Sequence, residues 1–189
     1  VPVRLLIDCF SHRFVSDRPV RDPSVAAEYQ RTLAMYEELR TAGVAVRFTH
    51  PNGPLNVFHL ARNHKKLYLI DGVAYHWLPT PSYQGNGVGR VKNIYAFLRQ
   101  VWADAPRLAR DFKPDVVIAS STYPMDIWVA RRIAKLARAK LVFEVHDLWP
   151  LSLIELAHMP RAHPFVLWCA AAERAACRDA DVVVSMLPK

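Results

Sequence analysis

The chain has 189 residues, 52% apolar and 22% charged, a balance that excludes intrinsic disorder and suits one ordinary domain rather than two full-sized ones. Twenty-five Lys and Arg against 17 Asp and Glu give a formal charge of +8 at pH 7, which favours anionic partners: phosphorylated substrates, nucleic acid or an anionic membrane surface. No apolar run approaches the roughly 18–20 residues that a spanning helix needs, and no basic-then-apolar leader with a cleavage site opens the chain.

Cys9, Cys169 and Cys177 form no CxxC pair and close no paired disulfide framework. The expectation is a cytoplasmic, reducing setting, with peripheral contact at the inner face of the membrane as an addition. Val1 falls inside a strand pattern and Lys189 directly follows another, so the chain is expected to be a piece of something longer.

Short apolar runs alternate with helical patterns. Residues 3–8 (VRLLID) read as a buried strand. Ser24 opens a helix over 24–42 with Val25, Leu33, Tyr36 and Leu39 on one stripe, and Gly43 stops it. Strands follow at 44–49 and 66–71, on either side of a loop with Pro51, Gly53 and Pro54, and a further strand is expected at 75–78. Residues 89–112 carry apolar side chains at helical spacing, with Pro106 predicting a kink or two consecutive helices. Residues 115–120 (DVVIAS) form a continuously apolar strand of the parallel, doubly covered type. Pro124 starts a helix to about Arg138, residues 141–145 form a strand expected to be central, Pro164 starts a helix through Cys177, and 182–186 is the last strand. This order predicts an α/β fold: a doubly wound, mostly parallel, Rossmann-like sheet in three α/β/α layers.

The sharpest local pattern is Asn63-His64-Lys65-Lys66-Leu67-Tyr68-Leu69-Ile70-Asp71, which contains H-x-K-x4-D. Strand alternation puts His64 and Lys66 on one face. A histidine beside a lysine can attack a phosphodiester while the cation stabilises the phosphoryl oxygens. The plainer reading is a basic strand entry with a solvated His64. With VRLLID, EELRTAGVAVRF and RNHKKLYLIDG in that order, residues 1–72 resemble the phospholipase D superfamily, especially cardiolipin-synthase-like members. That resemblance implies His64 as covalent phosphoryl acceptor, Lys66 as phosphate ligand and Asp71 as support. Past Asp71-Gly72 the chain reads VAYHWLP where that family has a glycine pair, and the motif is present once, so His64 is not expected to work as a nucleophile in the isolated chain.

From Gly72 onward, YHWLPTPSYQGNGVGR, FKPDVVIASS, LVFEVHDLWP and DADVVVSMLPK occur in an order similar to the N-terminal domain of family-four GT-B glycosyltransferases. The resemblance implies an acceptor-side Rossmann-like half, with the sugar nucleotide held mainly by a C-terminal donor domain. The two resemblances meet at Asp71-Gly72. The chain therefore reads as a splice, natural or artificial: 1–72 phospholipase D-like and 73–189 glycosyltransferase-like, forming one continuous domain whose sheet runs through the join.

Gly85-Asn86-Gly87-Val88-Gly89-Arg90 leads into a helix, and such a turn offers N–H groups and a positive dipole end to a phosphate. It lacks the G-x-G-x-x-G spacing and the acidic residue of a dinucleotide fingerprint. An ordinary loop is the alternative; in the functional reading Gly87, Gly89 and Arg90 contact substrate. Glu144-Val145-His146-Asp147 ends a strand at the sheet's carboxyl edge, where ligands of open α/β sheets bind. His146 is the candidate to bind or deprotonate an acceptor hydroxyl, Asp147 to orient it, and Glu144 to line the site. Asp147 is alternatively a cap for a helix with Pro150 just inside it. Ser120 and Ser121 hold the equivalent end of the preceding strand, as helix cap or ligand contact. Arg90 and His146 are expected in one pocket.

Trp102, Trp128 and Trp168 read as core or interface, and Cys169 and Cys177 as buried fillers. The histidines show no metal-ligand spacing, and no cofactor is implied. Arg131, Arg132, Lys135, Arg138 and Lys140 read as a solvated helix face that can also touch anionic head groups. Nucleic acid is not expected, since no recognised module is present. The leading functional reading is a glycosyltransferase-type domain acting on a sugar nucleotide and a lipid-linked or polysaccharide acceptor, inactive alone. The alternatives are a phosphatidyl or phosphodiester transferase using His64 on a phosphorylated lipid, and a binding module for anionic lipid or nucleotide.

Overall fold

A computed structural model of the chain describes residues 4–8, 34, 38, 39, 41–52, 66–70, 73–81, 83, 87–120 and 123–185. Its strands are β1 (Arg4–Asp8), β2 (Ala45–Asn52), β3 (Lys66–Ile70), β4 (Val73–Pro79), β5 (Val116–Ala119), β6 (Lys140–Val145) and β7 (Val182–Ser185). The helices are α1 (Val88–Asp111), α2 (Asp126–Ala137), α3 (Leu151–Glu155) and α4 (Pro164–Asp179). The strands form one sheet in the order β3-β4-β2-β1-β5-β6-β7. Every neighbouring pair is parallel except β3 with β4. From β1 the chain steps to β2 on one side, with the β3–β4 pair beyond it, and to β5, β6 and β7 on the other, so this is a doubly wound, Rossmann-like α/β sheet with its topological switch between β1 and β5.

Strands from both sides of Asp71-Gly72 belong to this one sheet, as a continuous sheet through that position requires. Ile70 pairs directly with Val73 across the antiparallel step. Asp-Gly between two apolar runs is a hairpin signal, and it accounts for the one reversal of direction. The strand expected to be central, β6, is instead next to the edge, because the chain steps outward from β5 through β6 to β7.

Ahead of β2, Ala34, Glu38, Leu39 and Thr41 are helical. Gly43 has φ +77°, and Val44 N–H donates to Leu39 O at 2.8 Å. This is the left-handed glycine stop that the sequence announces, a conformation that costs a side chain with Cβ about 1–2 kcal/mol.

On α1, Ile94, Phe97, Leu98, Val101, Ala105 and Leu108 are buried at 3–4-residue spacing. They pack with Val117, Ala119, Leu141 and Phe143 of the sheet, Ile127 and Ile133 of α2, and Cys169 and Ala172 of α4. Pro106 does not divide α1 into two helices, and it lies on the exposed side of α1. Trp102 lies 45% exposed rather than in the core, with the Arg132 guanidinium 4.6 Å from its ring centroid. Trp128 and Trp168 do stack, with centroids 6.4 Å apart. Cys169 is buried but Cys177 is exposed. Eight helical residues leave an offset of about 80°, enough to turn the second thiol out of the core.

Asn93, 1% exposed, ties α1 to the segment that follows β4. Its Nδ2 donates to Thr80 Oγ1 at 2.9 Å and to Pro81 O at 2.7 Å. Asn93→Ala leaves these acceptors without their donor. The expected loss is about 1–3 kcal/mol of unfolding free energy in urea titration; an unchanged midpoint overturns the assigned tie.

Candidate functional site

Ala119 and Phe143 are register partners of β5 and β6. The next residues, Ser120 and Glu144, therefore come side by side on one face, and His146, two positions beyond Glu144, returns to that face. Val117, Ala119, Leu141 and Phe143 occupy the opposite parity and face the core. This register, at the carboxyl edge beside the topological switch, brings Ser120 to Glu144 and His146, which lie 24 and 26 residues further along the chain.

Ser120 Oγ donates to Glu144 Oε2 at 2.6 Å. His146 Nε2 lies 3.0 Å from Ser120 Oγ and 3.3 Å from Glu144 Oε2. Since the hydroxyl proton goes to Glu144, Nε2 carries a proton and donates to the pair. The hydrogen bond to Glu144 pushes the imidazole up from its ordinary 6.5, against burial, which pulls it down; the charges of Glu144 and Asp147 add to the rise. In a nucleophilic serine triad the hydroxyl donates to one ring nitrogen while the carboxylate holds the other. Here both groups meet Nε2 and Ser120 is only 2% exposed, so Ser120 positions Glu144 and is no nucleophile. Nδ1 of His146 has no partner among the described residues.

Asp147 is exposed, and the carboxylate that holds His146 is that of Glu144. Nor does Asp147 cap the next helix: Pro150 itself takes the N-cap position of α3, with no side-chain cap. Gly87 is the N-cap of α1, again without a side-chain cap. A Cβ on Gly89 would stand 3.1 Å from Tyr83 Cβ, so Gly89 allows the preceding segment to approach the helix closely. Arg90 lies in the first turn of α1, which leaves β4 at the same carboxyl edge. Four strand positions separate β4 from β6, about 19 Å at the usual spacing, and no described hydrogen bond or ion pair joins Arg90 to His146.

Lys66 opens β3, the edge strand farthest from β7. His64, Asp71 and Ser121 lie outside the described residues. Burial pushes the Cys169 thiol up to about 12, which removes it as a nucleophile at neutral pH. Among the described residues no three His, Cys, Asp or Glu side chains gather as a metal site, and no helix is long and apolar enough to cross a membrane.

The sequence profile of the glycosyl transferase 4-like domain matches residues 29–189. The chain belongs to this family. The match runs through Asp71-Gly72 and takes in His64, Lys66 and Asp71. Neither a phospholipase D-like segment nor a splice finds support. No curated protein matches the chain. Among solved structures, sucrose-phosphate synthase from Thermosynechococcus elongatus is 14% identical with a TM-score of 0.55, over 94% of this chain and 41% of that one. MurG of Acinetobacter baumannii is also 14% identical, with a TM-score of 0.49, over 99% of this chain and 42% of that one. The glycosyl transferase 4-like chain thus spans about two fifths of the length of these structures, and the first of them shares its fold.

Proposed function

We propose that this chain is the acceptor-binding half of a glycosyltransferase, and that Ser120, Glu144 and His146 form the acceptor site. The sugar nucleotide is assigned to a second, donor-binding domain. The observation that carries the reading is the carboxylate–imidazole pair at the carboxyl edge, in a chain of the glycosyl transferase 4-like family. An acceptor hydroxyl donates to His146 Nδ1. As that oxygen forms its bond to the sugar carbon, the bond from that carbon to the phosphate oxygen of the sugar nucleotide breaks and the nucleotide leaves with the electron pair; the imidazole takes the hydroxyl proton and Glu144 stabilises the resulting cation. The hydrogen bond and charge of Glu144 raise the affinity of His146 for a proton, which makes it a stronger base than a free imidazole. Arg90 and the Gly87–Gly89 turn are assigned to the phosphate of a lipid-linked acceptor reaching along the same edge.

Isothermal titration of the chain against oligosaccharides, polyprenyl-phosphate-linked sugars and sugar nucleotides tests this. An acceptor is expected to bind and the nucleotides are not. His146→Ala is expected to weaken acceptor binding by about tenfold, the loss of one hydrogen bond to an ionisable group. Its unfolding free energy should move by no more than about 1 kcal/mol, because Ser120 and Glu144 keep their own bond. Binding of nucleotides without acceptors, or acceptor binding indifferent to His146→Ala, overturns the assignment.

A further inference from the structure

At the amino edge of the sheet, the ends of α2 and α4 and the start of β6 line an open cavity of about 550 Å³. Five cationic side chains, Arg131, Lys135, Arg138, Lys140 and Arg178, line it against two carboxylates, Asp179 and Asp181. We propose that this cavity is a second ligand site, taking a phosphate-bearing anion. Along β6, Lys140 stands about 13 Å from Glu144 and about 20 Å from His146, at the opposite edge of the sheet, so the cavity is not part of the acceptor site.

The two carboxylates build the site rather than neutralise it. Asp179 accepts from Arg178 Nε at 2.8 Å and Nη2 at 2.9 Å, and also from Arg131. Asp181 accepts the Leu141 N–H at 2.9 Å and Lys140 Nζ at 2.7 Å. The arginines at Asp179, and first the Leu141 N–H at Asp181, hold these carboxyls below the usual carboxylate range, so both remain ionised and keep three cations in place. Lys135 and Arg138 line the same cavity with no ion pair or side-chain hydrogen bond among the described residues.

Cations near the ends of α2 and α4 would be expected from the helix dipole alone, so the magnitudes matter. Each helix end contributes roughly −0.5 of an elementary charge. Two ends together offset about one of the three surplus positive charges, leaving about two. The last carbonyls of α2 are also capped, by Ala139 N–H on Ala134 O at 2.8 Å and Arg138 N–H on Lys135 O at 3.4 Å. A concave site with a surplus near two suits a phosphomonoester, a pyrophosphate or a phospholipid head group, and its volume falls in the range of small-ligand pockets, about 300–1,000 Å³.

The full chain is to be titrated with inorganic pyrophosphate and sedimented with vesicles of phosphatidylcholine alone or mixed equally with phosphatidylglycerol. Lys135→Gln/Arg138→Gln is compared with Lys92→Gln/Arg99→Gln, which removes the same charge from the exposed face of α1. All four side chains are exposed, and a thermal melt verifies that both variants fold. The cavity variant is expected to lose about tenfold or more in binding, as removal of charge-assisted contacts does. The α1 variant should change by about twofold, the effect of net charge in salt. Pyrophosphate binding with this pattern assigns a soluble ligand, and binding to the mixed vesicles alone assigns a head group; either supports the site. No binding of either probe, or equal losses in the two variants, overturns it.

Discussion

Phe97→Ala is expected to lower the unfolding free energy by about 3–5 kcal/mol, a large share of the roughly 5–15 kcal/mol that holds a domain together. Phe97 is 0% exposed and sits where α1, α2 and the sheet meet. Its removal takes away the transfer free energy of the ring and leaves a cavity whose walls come from three elements that cannot all collapse inward. Tyr95, two residues away on the same helix, is 60% exposed; Tyr95→Ala is expected to stay within about 0.5 kcal/mol. Urea unfolding of both variants checks the contrast, with the denaturant slope unchanged if only the native packing is affected. A Phe97→Ala cost below about 1 kcal/mol would mean that α1 does not pack against the sheet as described.

Glu144→Gln is expected to move the His146 titration from above 6.5 to below it, because burial then outweighs the remaining charge of Asp147. The sign of the stability effect follows. In the parent chain the folded-state value is raised, so the stabilisation from His146 is fully present below 6.5 and is lost as pH rises through the higher folded value. In Glu144→Gln the folded value is lowered, so the contribution reverses: it is present above 6.5 and is lost as pH falls through the folded value. The gap in unfolding free energy between the two chains therefore narrows as pH rises from below the variant's folded value, through 6.5, to above the parent's folded value. Proton NMR of the imidazole reads the titration directly, and denaturant titrations across that window read the linkage. A His146 midpoint unmoved by the substitution would remove Glu144 from its place in the site.

Several parts of the molecule were legible in its residues. The runs VRLLID, DVVIAS and LVFEV are short, apolar and rich in β-branched residues, which reads as strand, and β1, β5 and β6 lie there. Gly43 ends its helix because a position at φ +77° favours a residue without Cβ. Pro164 opens α4 because a first-turn proline sacrifices no hydrogen bond, and His163 accepts the Phe165 N–H just before it. Ser120, Glu144 and His146 were legible as candidates because a polar residue at the end of an apolar strand must emerge at the sheet's edge.

Which of those residues meet was decided only by the tertiary structure. Asp147 is one residue from His146 in sequence and Glu144 two, but only Glu144 shares its parity, and the β5–β6 register places Ser120 against that same carboxylate. The antiparallel β3–β4 step and the position of β6 beside the edge follow from pairing between strands, which local periodicity does not encode. In sequence, Arg131, Lys135, Arg138 and Lys140 read as a solvated helix face, and Arg178 is 38 residues beyond the last of them. They surround one cavity because both helices finish where β6 begins, and the Arg131–Asp179 and Lys140–Asp181 contacts span 48 and 41 residues of chain. Amphipathic spacing determines which side of an element turns inward; strand order and register determine which elements share an edge, and both the site at His146 and the cationic cavity are properties of edges.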